Sequence, residues 1–385
     1  MIDTVCLLIP EDKLTMLSSS ILGSSPWNLH SRTDQYDKFV KNPSKSNRDS
    51  GLYFPRLTGY KRNDFRQDKN VRIEFSVPKL VYLNNLDELE EKDFPLVIDT
   101  LKARLSRMGV IVERGVLETA SVSSVHFSKN ILLQDGYTSS HLISEMNKVN
   151  LRKTFDLART RYINDGQSLY AHATSHELVI YDKIADLNKG KKRAIDKEQP
   201  DYQLSLFSEI KKESEMIEII RFEIRLNHKQ KMNKVLEQLG YPKNPTFKDV
   251  FNAEMSRKVV TDYWNRIIKA RNLGLFSVPF GAKDILRTLY VANIKIKPKQ
   301  AIYLIGLFML GKDENGMREL RSIVTKKSDD RTWYRLAKDM QVASELIAKN
   351  NLRDWVVQID NNLAQFKPYK HQKISKNNPY SGEYA

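Results

Sequence analysis

The chain has 385 residues, of which 41% are hydrophobic, and a formal net charge of +16. This composition is typical of a globular protein with two or three domains, and it excludes a largely disordered chain. The single cysteine, Cys6, excludes an intrachain disulfide framework and a zinc site built on cysteines. An excess of basic residues of this size indicates a polyanionic partner, most often nucleic acid.

The N-terminus and the apolar segments predict the compartment. Residues 1–10 have no basic region and only a short apolar run, so we expect a strand there rather than a signal peptide. No apolar stretch approaches the length of a membrane-spanning helix. A reducing, cytosolic setting without a membrane partner is therefore expected.

Strands, polar loops and one long helix are predicted in the first part of the chain. In Val71–Val77, apolar and polar residues alternate with the period of a half-buried strand. In Leu86–Met108, apolar residues recur at helical spacing, with acidic residues early and basic residues late, as the helix dipole favours. The other predicted segments are strands at Val5–Ile9, Gly51–Tyr60, Val110–Glu113 and Val116–Ser128, and a polar loop at Ser18–Ser50.

Strands give way to helices in the rest of the chain. The C-terminal third has strong helical periodicity interrupted by short turns. The predicted elements are a helix at Asn150–Arg161, a hairpin at Ser168–His172 and Glu177–Tyr181, a strand at Ile217–Leu226, helices from there to Ala270, and helices at Pro298–Leu310, Asn315–Val324 and Asp329–Ala348.

These elements predict an α+β fold in several parts. An antiparallel-sheet domain is expected over residues 1–230, with a basic insert at 188–212. A helical connector (231–283) and a helical domain (284–366) follow it. Residues 367–385 are expected to form a basic, flexible tail.

Three predicted strands of the first domain place ionisable groups on one face, because alternate residues of a strand point the same way. Apolar residues occupy the opposite face of the same strands. The side chains that share a face are, strand by strand, Ser124, His126 and Ser128; Tyr181 and Lys183; and Arg221, Glu223 and Arg225.

If these strands are neighbours in the sheet, their side chains suit phosphodiester chemistry. His126 and Glu223 are potential ligands of a divalent metal, Mg²⁺ or Mn²⁺, which polarises the scissile phosphate. The hydroxyl of Tyr181 is a potential nucleophile that forms a covalent intermediate. Lys183, with the two arginines, neutralises the developing negative charge. No small-molecule cofactor is expected.

A purely structural interpretation of the same pattern stays open. Charged residues that alternate along a strand usually form its solvent-exposed face. His172 and His176, which flank the predicted hairpin turn, are expected to be solvent-exposed rather than to bind metal.

Several short motifs occur in the same order in a known family. They are Met1-Ile-Asp3, Val71-Arg-Ile-Glu-Phe-Ser-Val-Pro78-Lys79, the strand with His126, Leu178-Val-Ile-Tyr181-Asp-Lys183 and Arg221-Phe-Glu223-Ile-Arg225. In this order the chain resembles the filamentous-phage gene II replication initiators, of the II/X family of phage and plasmid replication proteins, over about residues 1–345. The resemblance implies an enzyme of a bacterial host cell, in which case the compartment is the cytoplasm. It implies nicking of one strand at a replication origin through tyrosine and a metal ion, leaving a 3′-OH primer.

The sequence leaves the nucleophile open. Related initiators place the tyrosine on the helix directly after the Arg-Phe-Glu strand, and the first turns of that stretch contain none here. The candidates are Tyr181 on the motif strand, Tyr263 beside Trp264, and Tyr162. For Tyr263, the alternative is a core aromatic residue.

The basic insert contains a possible partner motif. Gln203-Leu204-Ser-Leu206-Phe207 matches the pentapeptide by which proteins bind the bacterial sliding clamp. In an exposed loop, Leu206 and Phe207 would fill an apolar pocket while Gln203 makes polar contacts. The alternative is an amphipathic segment that packs on its own domain.

The C-terminal helices have the lengths and turns of a helix-turn-helix module. Arg331, Arg335 and Lys338 are expected near one face of the last helix, where they would contact double-stranded DNA. The alternative is a helical bundle with a solvent-exposed basic face.

Three functions follow from these observations. The first is a rolling-circle initiator that acts on single- and double-stranded origin DNA and recruits the sliding clamp. The second is a non-catalytic origin-binding regulator of the same lineage, which the absent tyrosine supports. The third is an RNA-binding protein, which the charge allows and no motif supports.

Overall fold

The computed structural model describes most of the chain. The described residues are 1–16, 28–41, 43, 47, 50–63, 69–149, 151, 154–163, 166–188, 217–269, 273–278, 281–293, 295–313, 315–348 and 352–371. The predicted α+β class with an antiparallel sheet is confirmed. The basic insert at 188–212 lies, apart from its first residue, outside the described residues.

Ten of the described strands form one antiparallel sheet. The strands are β1 (Ile2–Pro10), β2 (Thr15–Met16), β3 (Asn28–Arg32), β4 (Tyr36–Lys41), β5 (Arg56–Arg62), β6 (Lys69–Ser76), β7 (Val110–Ile111), β8 (Ser121–Leu132), β9 (Asp156–Ile163), β10 (Ser168–His172), β11 (His176–Asp182) and β12 (Ile219–Leu226). The order in the large sheet is β3-β4-β5-β6-β1-β8-β12-β11-β10-β9, and β2 pairs with β7 separately.

The two faces of the large sheet differ in polarity. Apolar residues alternate along the central strands and are fully buried, as at Val5, Leu7, Phe127 and Ile224. Helices cover this apolar face and complete the main core. The polar residues that alternate with them lie on the opposite face, which we call the polar face.

The described α-helices mostly follow the strands in sequence. They are α1 (Val77–Tyr82), α2 (Phe94–Arg107), α3 (Arg114–Glu118), α4 (Ser139–Asn147), α5 (Lys183–Asn188), α6 (Lys229–Gln238), α7 (Phe247–Val250), α8 (Ala253–Asp262), α9 (Leu273–Phe276), α10 (Ala282–Ala292), α11 (Pro298–Lys312), α12 (Gly316–Lys327), α13 (Asp330–Ala348) and α14 (Asp354–Gln365). A π-helical segment, Tyr263–Lys269, continues α8, and short 3₁₀ helices lie at Glu11–Lys13 and Glu91–Asp93.

The prediction of a helix over Leu86–Met108 is wrong in its first turns. Asn84 Oδ1 accepts hydrogen bonds from the backbone N–H groups of Leu86 and Asp87, which closes a loop instead of a helix. Glu90 and Asp93 then form a capping box, and α2 begins at Phe94.

Three other predictions of local structure are wrong. Val116–Ser128 is not one strand, because α3 occupies its start and β8 begins at Ser121. The predicted helix at Asn150–Arg161 contains most of β9, in which Arg161 pairs with Tyr170 of the neighbouring strand. The predicted loop Ser18–Ser50 contains β3 and β4, which pair with each other, and β4 also pairs with β5.

The C-terminal helices pack against one another and against the sheet domain. The three predicted helices correspond to α11, α12 and α13. After them, α14 returns to the main core, where Trp355 contacts Phe276 with ring centroids 5.3 Å apart. Trp264 Nε1 also donates to Asp360 of α14 at 2.7 Å. The helix-turn-helix character and the domain boundaries stay predictions.

The start of the predicted flexible tail is attached to the sheet domain. Lys129 Nζ donates to the carbonyl of Lys367 at 2.5 Å, and the Tyr369 N–H donates to Glu88 at 2.9 Å. The His371 N–H donates to Asp87 at 2.7 Å. Residues 367–371 thus make specific hydrogen bonds, the flexibility of the tail stays a prediction, and residues 372–385 lie outside the described part of the chain.

Within the residues that the structure describes, no helix combines the length and the apolar character needed to cross a membrane.

Candidate active site

The three strands with chemistry-bearing residues are neighbours at the centre of the sheet. Strand β12 lies between β8 and β11. Arg225 pairs with His126 of β8, and Arg221 pairs with Tyr181 of β11. Residues directly opposite in an antiparallel pair point to the same face. The structure thus brings His126, Glu223 and both arginines together on the polar face, as predicted.

A β-bulge adds a residue that sequence reasoning missed as a site residue. On β1, Ile2 pairs with Phe127 and Thr4 pairs with His126, so Asp3 is the extra residue between two pairs. Regular alternation from Val5 would point Asp3 toward the core. The bulge turns Asp3 onto the polar face, because an extra residue reverses the alternation.

Asp3, His126 and Glu223 form a candidate metal centre. Each offers one ligand atom, and these atoms lie within 4.8 Å of one another. His126 Nδ1 is 3.3 Å from Glu223 Oε1, and His126 Nε2 lies 3.2 Å from Asn227 Oδ1. One imidazole nitrogen and two carboxylate oxygens suit Mn²⁺, and the carboxylates also suit Mg²⁺. The donor set therefore fits the predicted divalent ion.

The arginines keep both carboxylates ionised. Burial alone would raise the pKa of Glu223, but Arg225, whose Nε donates to Oε1 at 2.8 Å, together with His126 and Arg221 holds that pKa well below its usual value. Burial would also raise the pKa of Asp3, and Arg221, which donates to Oδ1 at 2.6 Å, lowers it. Ionised carboxylates are the form that binds a cation.

Arg221 itself is a buried anchor of the centre. Its side chain is 1% exposed and donates to Asp3, to Ser128 Oγ at 2.9 Å and to the carbonyl of Asn85 at 2.8 Å. A guanidinium that is held by several acceptors has a fixed position. Arg221 therefore positions Asp3, whereas Arg225, which is partly exposed, is the arginine accessible to a phosphate.

Tyr181 is the predicted nucleophile that lies at this centre. Its hydroxyl donates to Glu223 Oε2 at 3.4 Å, and burial raises its pKa well above the usual value. Lys183 begins α5 directly after β11, with its Nζ 5.6 Å from the Tyr181 ring centroid and 4.0 Å from Asp186. Both side chains are buried, and Lys183 is fully so.

The other two candidate tyrosines lie away from the centre. Tyr263 is 1% exposed and packs edge-on against His176, with ring centroids 6.0 Å apart. This is the core position that the sequence offered as its alternative. Tyr162 is exposed on β9, and it pairs with Leu169, whose side chain points to the apolar face.

Polar residues extend the site along β10 and β11. Glu177 lies 3.3 Å from Arg225 and 3.2 Å from His172. Tyr170, half-buried, lies under Arg225 and stacks on His172 at 5.9 Å. Sequence reasoning missed Tyr170, although the alternation in Ser168–His172 could have placed it on the face of His172.

His176 differs from its prediction as an exposed turn residue. Its side chain is buried and packs against Phe155, with ring centroids 4.9 Å apart. Burial lowers its pKa to about 4. Among the described residues, neither ring nitrogen has a hydrogen-bond partner.

The remaining predicted residues lie elsewhere. Arg331, Arg335 and Lys338 are exposed on α13, as a DNA-contacting face requires. The clamp motif, Gln203 to Phe207 with Leu204 and Leu206, lies outside the described residues.

Comparisons with known proteins give no relative. A scan against family models and searches of curated proteins and of solved structures find no match to this chain. The resemblance drawn from short motifs therefore stays an expectation, and the function must be argued from the site.

Proposed function

We propose that the chain is a rolling-circle replication initiator that nicks one strand of origin DNA with the help of a divalent metal ion. The observation that carries the proposal is the juxtaposition of Asp3, His126 and Glu223 with the hydroxyl of Tyr181. A cation ligand set beside a potential oxygen nucleophile and an accessible arginine is what phosphodiester transfer needs. The net charge of +16 fits a nucleic-acid substrate.

In the proposed reaction, the Tyr181 oxygen forms a bond to phosphorus while the bond from phosphorus to the 3′ oxygen breaks. The tyrosine loses a proton and the 3′ oxygen gains one, so the products are a 5′-phosphotyrosine and a 3′-OH end. A bound metal ion would polarise the phosphate and favour the phenolate form of the tyrosine. Arg225 would bind a phosphate oxygen, and Arg221 would hold Asp3 in place.

A second candidate function has an observation of its own. Tyr181 is only 8% exposed, and Tyr263 lies in the core. A buried phenol with a raised pKa is a poor nucleophile. This favours a non-catalytic origin-binding protein of the same lineage, in which the cluster on the polar face has only a structural role.

Covalent trapping distinguishes the two functions. The protein is incubated with the supercoiled replicon that encodes it and with Mg²⁺ or Mn²⁺, and any protein–DNA adduct is mapped by mass spectrometry. We expect an adduct on Tyr181 that requires metal. Tyr181→Phe should abolish it, whereas Tyr162→Phe, on the other face, should leave it unchanged.

The other outcomes are equally informative. An adduct on Tyr170 or Tyr263 would keep the nicking function and correct the nucleophile. Origin-specific binding without a nick or an adduct in either metal would replace the proposal with the non-catalytic function.

The proposal also includes two binding roles outside the active site. The exposed face of α13 would bind duplex DNA, and Gln203–Phe207 would bind the sliding clamp. Each role is tested by a pull-down that compares the wild type with a chain substituted at those residues.

A further inference from the structure

The large sheet consists of two halves with the same topology. In each half, the strand nearest the centre of the sheet comes first along the chain. The next four strands of this sheet then follow in order from its outer edge back toward the centre. The first half is β1 and then β3–β6, and the second is β8 and then β9–β12. The two innermost strands are antiparallel neighbours. A pseudo-twofold axis perpendicular to the sheet therefore passes between β1 and β8.

The pairing of β1 with β6 and of β8 with β12 corresponds about this axis when it is placed at the pair Thr4–His126, although bulges interrupt the β1–β8 ladder itself. Each residue of β1 corresponds to a residue of β8, and each residue of β6 to a residue of β12. The corresponding pairs on the polar face are Thr4–Ser76 with His126–Arg225, Cys6–Glu74 with Ser128–Glu223, and Leu8–Arg72 with Asn130–Arg221. A rotation about an axis perpendicular to the sheet does not exchange its two faces, so both halves present these residues on the same polar face.

The first half repeats part of the candidate active site. Arg72 and Glu74 correspond to Arg221 and Glu223, and Arg72 Nη2 donates to Glu74 at 3.2 Å. Arg72 also donates to the sulfur of Cys6, as Arg221 donates to the Ser128 hydroxyl at the corresponding position. An arginine that donates to the innermost strand is therefore common to both halves, whereas the hydrogen bond to the glutamate of the same strand comes from Arg72 in the first half and from Arg225 in the second.

The halves differ at the metal centre. Thr4 occupies the position that corresponds to His126, and a threonine hydroxyl is a poor ligand for a divalent metal compared with imidazole. Ser76 occupies the position of Arg225. The first half thus keeps the basic framework of the site with a different ligand set.

Basic and aromatic residues surround this framework. Tyr60 pairs with Lys38, and Arg56 pairs with Glu74, so all of them lie on the polar face. The Tyr60 ring meets the ring of Tyr36, which is 37% exposed, edge-on at 5.7 Å. The described basic residues of this surface are Lys38, Arg56, Arg62 and Arg72, against Glu74 as its described acid.

We propose that the polar face of β4–β6, defined by Tyr36, Lys38, Arg56, Tyr60, Arg62 and Arg72, binds the single-stranded DNA next to the scissile phosphate. The inference rests on the proposed nicking function. Exposed aromatic rings stack on bases and basic side chains bind the backbone, which is how single strands are held without sequence preference. A duplex would not offer its base faces to these rings.

The surface is continuous with the candidate active site. Arg56 lies opposite Glu74, and Glu74 lies opposite Cys6, three residues along β1 from Asp3. From strand spacing and rise, Arg56 lies about 14 Å and Tyr60 about 25 Å from Asp3, the ligand of the metal centre nearest to this surface. A strand of several nucleotides spans this distance.

The test measures binding without chemistry. Binding of a labelled 20-nucleotide oligo-dT is measured by fluorescence anisotropy in EDTA at several salt concentrations, with a mixed-sequence duplex in parallel. The variants are Lys38→Ala/Arg56→Ala and Tyr60→Ala. The matched control is Lys102→Ala/Arg107→Ala, which removes two exposed charges from α2 on the helical side.

For the Lys38→Ala/Arg56→Ala chain, we expect the negative slope of log K against log salt concentration to become less steep by about 1.4. Each phosphate contact of a single strand contributes about 0.7 to that slope, and this variant removes two basic side chains. Tyr60→Ala should weaken binding about tenfold, within the range for loss of one stacked base. The control should bind like the wild type.

Each other outcome has a defined meaning. If the wild type does not bind oligo-dT, or if the variants bind it as the wild type does, the inference is overturned, and adduct formation on the replicon tests nicking separately. A loss confined to duplex binding also overturns it. If the wild type forms no adduct but the variants lose slope and affinity, the nicking proposal fails and the binding surface stands.

Discussion

Glu223 is the residue on which the candidate metal centre depends most. It contacts His126, Arg225 and Tyr181 and is 2% exposed. We expect Glu223→Gln to weaken Mn²⁺ binding by about a hundredfold, because an amide oxygen replaces a charged ligand, and loss even of outer contacts costs 10–100-fold. Isothermal titration calorimetry measures the affinity.

The control for Glu223 lies on the same face. Glu177→Gln removes a carboxylate that contacts Arg225 and lies outside the metal centre. It should change Mn²⁺ affinity less than threefold. Equal losses in both variants would contradict a defined site and indicate a diffuse effect of negative charge. Thermal melts of both chains show that the comparison is between folded proteins.

His176 should make stability depend on pH. Its folded pKa of about 4 lies below the ordinary value of 6.5, because burial disfavours the charged ring. The unfolded chain therefore binds more protons between pH 4 and 6.5, and the free energy of unfolding falls as the pH drops through this window. The difference between the unfolded and folded pKa values lowers the free energy of unfolding by about 3 kcal/mol at most.

The measurement compares urea unfolding at pH 7 and pH 4.5 for the wild type and His176→Phe. The phenyl ring keeps the contacts with Phe155 and Tyr263 and carries no proton. We expect the variant to lose less stability at pH 4.5 than the wild type. His172→Phe, at the partly exposed histidine of the same hairpin, is the control, and an equal loss for the wild type and His176→Phe would contradict the prediction.

At the scale of single residues, the sequence predicts a site residue where polar and apolar residues alternate regularly along a strand. His126, Glu223 and Arg221 follow from it directly. Asp3 does not, because a bulge reverses the alternation on β1, and no local residue pattern announces the bulge. The burial of Tyr181 and Tyr263 also depends on packing by distant segments, which a single sequence does not encode locally.

At the scale of elements, α14 connects the C-terminal helices to the sheet domain through Trp355. The side chain is fully buried against Phe276. Trp355→Ala should lower the free energy of unfolding by about 4 kcal/mol, from lost burial and the cavity that remains. Val357→Ala, at a position of the same helix that is 42% exposed, should change it by less than 1 kcal/mol. Equal effects in urea unfolding would contradict this packing.

Helices and strands were predictable from the sequence where the apolar residues of the segment itself follow the period of that element. The helices α11–α13 match their predictions within a few residues, and α12 and α13 have a marked helical apolar period. Strand β9 was missed because its sequence, Asp-Leu-Ala-Arg-Thr-Arg-Tyr-Ile, lacks alternation, and it forms by pairing with β10 at an edge of the sheet. For such a strand the partner determines the structure rather than the propensity.

At the scale of the whole molecule, the segment 367–371 joins the end of the described chain to the middle of the sheet. Glu88 accepts hydrogen bonds from Lys129, Asn130 and Tyr369. Burial alone would raise the pKa of Glu88, but Lys129, the N-terminal amine and the Tyr369 N–H lower it to about 2. A carboxyl group whose pKa is depressed on folding stabilises the folded state above its unfolded pKa of about 4.5, and this stability is lost as the pH falls toward 2.

Two truncations test this connection. A chain that ends at His371 keeps every described contact of the segment, whereas a chain that ends at Phe366 loses the Tyr369 hydrogen bond to buried Glu88 and the carbonyl that accepts from Lys129. We expect the shorter chain to be about 2 kcal/mol less stable in urea at pH 7, since each lost bond involves a charged group. The difference should persist below pH 4.5 and shrink as the pH falls toward 2, because Glu88 of the folded longer chain is protonated only near its pKa of about 2. Equal stability of the two truncated chains at pH 7 would show that the segment rests on the sheet without stabilising it.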